Sequence, residues 1–174
     1  MDAMAAIHNR RSIKQFASNP VSRETLEKLL AAAYDAPSGA SNYPCRFVVV
    51  TERDRLDRLG EAHPHCGWLK TAQAGIIVAA DAGKSRYWLE DCCVAAQNLW
   101  VAATAMGLGM AWSAIYLSDN PEETAKREGH VRQVVALPDA LRAPIVLGLG
   151  TPDYQVSERT KRPPMADVMH WGKY

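Results

Sequence analysis

Residues 87–106 read YWLEDCCVAAQNLWVAATAM, and residues 107–113 continue GLGMAWS. The first stretch predicts a helix from Tyr87 to Met106, about as long as helices get in a small domain, and from Val94 onward it is apolar on nearly all sides. Gly107 stands at the C′ position, where glycine readily takes the left-handed conformation that closes a helix. A helix without a polar face belongs in the middle of a protein or in a subunit interface. It is not a membrane span: between Val94 and Ala111 the run is broken by Gln97, Asn98, Thr104 and glycines, short of the roughly 20 continuous apolar residues that cross a bilayer.

On either side of this helix lie short β-branched apolar runs bounded by turn or charged residues, Gly75–Ala80 before it and Ala143–Leu149 after it, and a third runs Phe47–Thr51. Such runs predict strands buried on both faces. Ser22 to about Asp35 predicts a second helix, with Leu26, Leu29, Leu30, Ala33 and Tyr34 at helical spacing and Val21 placed to staple onto Leu26. Asn120, Pro121, Glu122 and Glu123 combine an N-cap, a first-turn proline and carboxylates at the positive end of a helix dipole. Two short helices are expected from there to Ala136. The stretch from Gly150 to Tyr174 carries prolines and charges with little periodic apolar pattern, so it must lean on something else, and a second subunit is a natural candidate. No repeat or linker divides the chain, which reads as one domain over 1–174 with 151–174 as an extended tail.

With 174 residues, 48% hydrophobic and 22% charged, the composition is that of an ordinary globular protein and excludes disordered, collagen-like and disulfide-scaffold classes. A net charge of +1 argues against nucleic-acid and membrane-surface partners, which select for a concentrated basic excess. Any phosphate binding must be local. Met1 to Ile7 run directly into His8, Asn9, Arg10 and Arg11 with no apolar stretch and cleavage site, so a cytoplasmic protein is expected. The four cysteines, Cys45, Cys66, Cys92 and Cys93, are expected to be reduced.

Several clusters could carry chemistry. If Arg10-Arg11-Ser12-Ile13-Lys14 is extended, Arg10, Ser12 and Lys14 share one face, and two cations flanking a hydroxyl make a candidate phosphate seat, although spacing alone favours a solvated basic turn. The loop Ala36-Pro37-Ser38-Gly39-Ala40-Ser41-Asn42-Tyr43-Pro44 has small residues that let a planar ligand approach the backbone and hydroxyls and an amide that could bond its edge; it is also what an ordinary loop looks like. Gly107-Leu108-Gly109 is not a dinucleotide fingerprint, because it lacks the third glycine and follows a helix instead of opening one. Lys161-Arg162 could complete a phosphate site. His63-Pro64-His65-Cys66 is dense in metal-ligand types, but the other histidines are far apart in sequence, so no metal is expected; a loop touching substrate is the alternative.

Taken in order, the double arginine with serine near the N-terminus, the Pro-Ser loop leading to a proline before the first strand, the long helix ending in Gly-Leu-Gly with Trp112 three residues on, and the final strand running into a Gly-x-Pro turn and a basic proline-rich tail resemble the FMN-dependent nitroreductase family over nearly the whole chain. The resemblance implies an α+β fold, a three-layer α/β/α sandwich with a central mixed, mainly antiparallel sheet. It also implies a homodimer with FMN at the interface and the C-terminal tail exchanged between protomers.

Carried onto this chain, the resemblance gives the phosphate to Arg10, Ser12 and the pair Lys161 and Arg162, with Arg11 in support. Lys14 would stand by the pyrimidine edge of the flavin. Pro37, Ser38, Ser41 and Asn42 would come from the other protomer, and Trp112 with the backbone near Ser113 and Ala114 would face the flavin N5. The chain departs from the family where members carry Asn-x-Gln-Pro-Trp, having Ser41-Asn42-Tyr43-Pro44-Cys45, and Thr160 replaces a cation found in some members. No protein acid or base is implied: hydride passes from NAD(P)H to the flavin and on to a nitro, quinone or related acceptor by a ping-pong mechanism. The alternatives are a non-catalytic flavin carrier or sensor, or the same fold turned to dehalogenation or flavin breakdown.

Overall fold

The computed structural model describes residues 1–157 and 162–174. Along them run α1 (Ala3–Asn9), α2 (Arg23–Tyr34), β1 (Cys45–Val50), α3 (Arg53–Leu59), β2 (Ala74–Asp81), α4 (Trp88–Ala105), β3 (Gly109–Ala114), α5 (Pro121–Val135) and β4 (Leu141–Gly150). The caps act as their residue types dictate. Ser22 Oγ accepts the Thr25 N–H at 3.1 Å to start α2, and Asn120 Oδ1 accepts the Glu123 N–H at 3.0 Å to start α5. Gly107 closes α4 with a φ of 79°.

The strands form one sheet in the order β1-β2-β4-β3, each neighbouring pair antiparallel. Because successive strand residues point to opposite faces, Ile76, Val78 and Ala80 of β2 pack with Leu29 of α2 and Leu99 of α4, while Ile77 and Ala79 pack with Leu56 of α3 and Val131 of α5. The result is the expected three-layer α/β/α sandwich. Among the described residues parallel pairing is confined to an isolated bridge between Ser12 and Met110, so the mixed character of the sheet comes from the N-terminal segment and not from a named strand.

Several elements differ from the sequence expectation. The region after Asn120 is one continuous helix instead of two short ones: Gly129 weakens it intrinsically, but buried Glu128, Val131 and Val134 on either side hold it against the sheet. Strands β2 and β4 are buried on both faces, whereas β1 is at the sheet edge and mostly half-buried. Strand β3 was not foreseen because Gly109, Ala111, Ser113 and Ala114 have little intrinsic strand preference; pairing with β4 imposes the strand. Helices α1 and α3 were also unforeseen. The start of the tail docks on its own chain, with the Ala17 N–H donating to Thr151 O and the Asp153 N–H to Gln15 O. Further along, Met165, Val168, Trp171 and Tyr174 are exposed. No helix among the described residues is long and apolar enough to cross a membrane.

Candidate functional site

The N-terminal basic segment leaves α1 in an extended conformation and runs beside β3, with the Ile13 N–H donating to Met110 O at 3.0 Å. Ile13 is buried against Gly109, where an added Cβ would come within 2.7 Å of the isoleucine side chain, so only glycine allows this approach. With Ile13 inward, Ser12 and Lys14 are exposed on the other side. The half-buried Arg10 lays its guanidinium 4.4 Å from the ring centroid of Trp100, and Trp100 stacks on Trp112 at 6.4 Å with 27° between the planes. Arg11 acts as a local tie: its guanidinium donates to the carbonyls of His8 and Arg10 at 2.9 Å and of Ser157 at 3.3 Å, and its own carbonyl accepts the Trp100 indole N–H at 3.3 Å.

Burial lowers the pKa of Arg10, and the charges of Arg11 and Arg162 lower it further. Arg162 is therefore near enough for its charge to be felt, and the structure brings a cation from each end of the sequence to one place. An anion docked there would be drawn by the summed positive charge of these side chains in a partly desolvated setting. Lys161 and Thr160 lie outside the described residues.

Strand β3 presents its backbone to the same region. The Ile115 N–H donates to Pro144 O at 2.8 Å, and hydrogen-bonded pairs alternate along an antiparallel ladder. By that alternation Ala111 and Ser113 turn their backbone groups toward β4, while Met110, Trp112 and Ala114 turn theirs toward the open edge of the sheet. The Met110 carbonyl, taken by Ile13, agrees with this. The Ser113 side chain points into the protein, where its Oγ lies 2.6 Å from His63 Nε2. The Ala114 carbonyl accepts from Arg127 Nη1 at 3.0 Å.

The loop from Ala36 to Pro44 is placed elsewhere. Ala40, Ser41 and Tyr43 all have positive φ, a conformation that costs a non-glycine residue roughly 1–2 kcal/mol and persists only where the surroundings hold it. Asp91 supplies much of that hold: buried in the first turn of α4, it accepts the Gly39 N–H at 2.8 Å and the Ser85 hydroxyl at 2.7 Å. Ser38 Oγ accepts the Tyr43 N–H at 2.9 Å. Pro37 and Ser38 line a cavity of about 130 Å³ together with Cys45 and Asp91, and Ser41 and Asn42 are exposed. The loop is tied to α4 at Asp91 and the basic segment at Trp100, about 13 Å apart along the helix at 1.5 Å per residue. Within one chain the two predicted halves of the site do not meet.

Trp100 lies on the helix that the sequence puts in the middle of the protein or in an interface, and it also forms the platform for Arg10. Sequence reasoning passed over Asp91, whose only visible sign was an acidic residue in the first turn of a long apolar helix, and it offered His63 only as part of a loop touching substrate. His63 stood out only as part of a dense His-Cys group, and that His63 reaches Ser113 depends on tertiary contacts that spacing does not reveal.

Comparison with known proteins gives this arrangement a context. The family model described as Nitroreductase family matches residues 7–66 and 62–151. A protein of Methanothermobacter thermautotrophicus named for NADH dehydrogenase/NAD(P)H nitroreductase activity is 34% identical over 156 residues, which span 87% of this chain and 78% of the relative. A crystal structure bearing the same activity name, from Bacteroides thetaiotaomicron, superposes with a TM-score of 0.89 at 34% identity, covering 99% of this chain and 98% of that one. A nitroreductase from Desulfovibrio desulfuricans, solved in complex with FMN, superposes with a TM-score of 0.82 at 27% identity, covering 100% and 98% of the two chains.

Proposed function

The chain belongs to the nitroreductase family, and on that premise we propose that it is an NAD(P)H-dependent oxidoreductase holding FMN against the open edge of β3, with the protein contacts completed by a second copy of the chain. What supports this reading is that the charge of Arg162, from the other end of the chain, is felt at Arg10, two residues before Ser12, whose backbone bridges to Met110 on the open edge of β3. Two guanidiniums and a hydroxyl match the phosphate of FMN in charge and in hydrogen-bond geometry. Lys161 adjoins Arg162 in sequence and adds a third cation. Lys14, exposed one strand repeat beyond Ser12, suits the pyrimidine edge of the flavin, where its ammonium favours the negative charge of the reduced ring. The Ala114 N–H, turned to the open edge, suits N5, while Ser113 contributes from behind the strand and Trp112 from beside it.

FMN, when bound, supplies the hydride chemistry, taking hydride from NAD(P)H and delivering it to a nitro, quinone or related acceptor. The side chains bind, orient and tune, and no titrating side chain is required at the reacting atoms. Pro37, Ser38, Ser41 and Asn42 reach the ring from the partner protomer, in keeping with the separation of the two half-sites on α4. The exposed apolar residues of the tail over 151–174 pack on that partner. Both substrates use one face of the ring in turn, which gives ping-pong kinetics.

Purified protein tests the reading directly. It is expected to be a yellow homodimer that releases a chromophore with the mass of FMN, to bleach under anaerobic NADH or NADPH, and to recover colour when an acceptor is added. Colour that no nicotinamide discharges would favour a carrier, and a colourless monomer without affinity for FMN would overturn the proposal. Intersecting instead of parallel double-reciprocal lines would remove the ping-pong step alone.

A further inference from the structure

We propose that His63 is a positioning residue for the flavin site, acting through Ser113 to fix the Ser113–Ala114 peptide whose N–H faces the open edge of β3. The inference rests on the reading above and deepens it. His63 lies in the turn after α3, and the turn itself sets its tautomer. The His65 N–H donates to His63 Nδ1 at 3.2 Å, so Nδ1 is an acceptor and the proton of the neutral ring sits on Nε2. That Nε2–H donates to Ser113 Oγ at 2.6 Å. Cys66 Sγ anchors the turn that carries His63, accepting the His63 N–H at 3.4 Å and lying 3.0 Å from the His63 carbonyl and 3.3 Å from that of Gly60.

Ser113 is buried, so its end of the network is shielded from water, while the His65 end lies at the surface. From the other side Arg127, itself paired with Glu123 at 2.8 Å, holds the Ala114 carbonyl at 3.0 Å. The Ser113–Ala114 peptide is thus flanked by a held side chain on one side and a held carbonyl on the other, and a donor held in advance needs no reorganisation when charge shifts at the atom it faces.

The network works only while His63 is neutral, because a proton on Nδ1 would set two donors against each other at His65. The surroundings favour the neutral form. Burial lowers the pKa of His63 most, Arg127 of α5 and His65 of its own turn lower it further, and Glu123 of α5 opposes them. Protonation as the pH falls below the ordinary imidazole range therefore breaks the His65 contact and, with it, the orientation of the ring against Ser113.

The test compares wild-type protein with H63A and H63Q, each loaded with FMN, following the flavin absorbance spectrum and the anaerobic rate of reduction by the nicotinamide across pH. Nitrogen-15 NMR of the His63 ring is recorded alongside. The expected results are an Nε2–H tautomer that titrates below the free-histidine range, and in H63A an altered flavin spectrum with reduction slowed about tenfold at unchanged nicotinamide KM, the effect of losing one well-placed hydrogen bond. H63Q, whose amide can still donate to Ser113, is expected to restore the spectrum and the rate while losing the low-pH fall seen in wild type. If H63A does not fold, S113A breaks the same bond and is read in its place. An Nδ1–H tautomer, or a variant that matches wild type in spectrum and rate, overturns the inference and leaves the flavin site standing. Wild-type protein that takes up no FMN overturns both.

Discussion

Two arginines lie over two tryptophans at opposite ends of α4, and their surroundings differ in kind. Arg142 sits 4.9 Å from the ring centroid of Trp88 and 5.6 Å from that of Tyr116. Its Nε meets both oxygens of the buried Glu128, at 2.9 and 3.1 Å, and Glu128 Oε1 also accepts the Ala143 N–H at 3.0 Å. Arg10 lies 4.4 Å from the ring centroid of Trp100, yet the described charges that weigh most on it, Arg11 and Arg162, have its own sign. The first is a cation satisfied within the fold, tying α5 to β4. The second has two like charges among those that weigh on it, in the region where the proposed FMN phosphate would add a negative one. A stacked arginine alone does not mark a binding site; the sign of its neighbours does.

The comparison is broken or sharpened by exchanging the effects. Removing the carboxylate with E128A leaves Arg142 without its partner and the Ala143 N–H without its acceptor. It should cost about 3 kcal/mol, at the lower end for breaking a buried pair because Arg142 keeps some solvent, read as a lower Tm with FMN affinity of the folded protein unchanged. D91A removes the hold on the strained loop and should cost about 2 kcal/mol, as expected when one buried acceptor leaves two donors unsatisfied; if the loop completes the partner's site, dimer and flavin affinity fall with it. R10A should do the opposite of E128A, weakening FMN binding roughly tenfold to a hundredfold with little change in Tm, and the loss should shrink at high salt. Equal stability costs for R10A and E128A would end the distinction between the two sites.

The smallest effect is on pH dependence. Because the pKa of His63 is lowered in the fold, the unfolded chain binds its proton first as pH falls. The contribution is therefore fully present above the ordinary imidazole pKa and is lost as pH drops below it, through the folded value. Denaturant midpoints measured across that window should show a decline in wild type that H63Q lacks.

How legible each part was in the sequence follows from where its information resides. Helices α2 and α4 and strands β2 and β4 could be read because their order is local: Ser22 caps its own helix, Gly107 ends its own, and apolar runs buried on both faces announce themselves. Strand β3 could not, since small residues there are held extended by β4 and by Ile13 pressing on Gly109. The pair proposed for the phosphate was placed at both chain ends by resemblance, and the fold supplies what resemblance could not, that the charge of Arg162 is felt at Arg10. Asp91, His63 and Arg127 were illegible because each acts on a residue far away in sequence, Gly39, Ser113 and Ala114 respectively, and no pattern of spacing encodes such a meeting.

Trp100 and Trp112 have a consequence of their own. Near-parallel indoles 6.4 Å apart exchange excitation instead of emitting independently, so the pair is an optical antenna built into the wall beside Arg10. On the proposed reading, a flavin lodged beside Arg10 would drain light absorbed there, so its arrival should register as a fall in the protein's own ultraviolet emission.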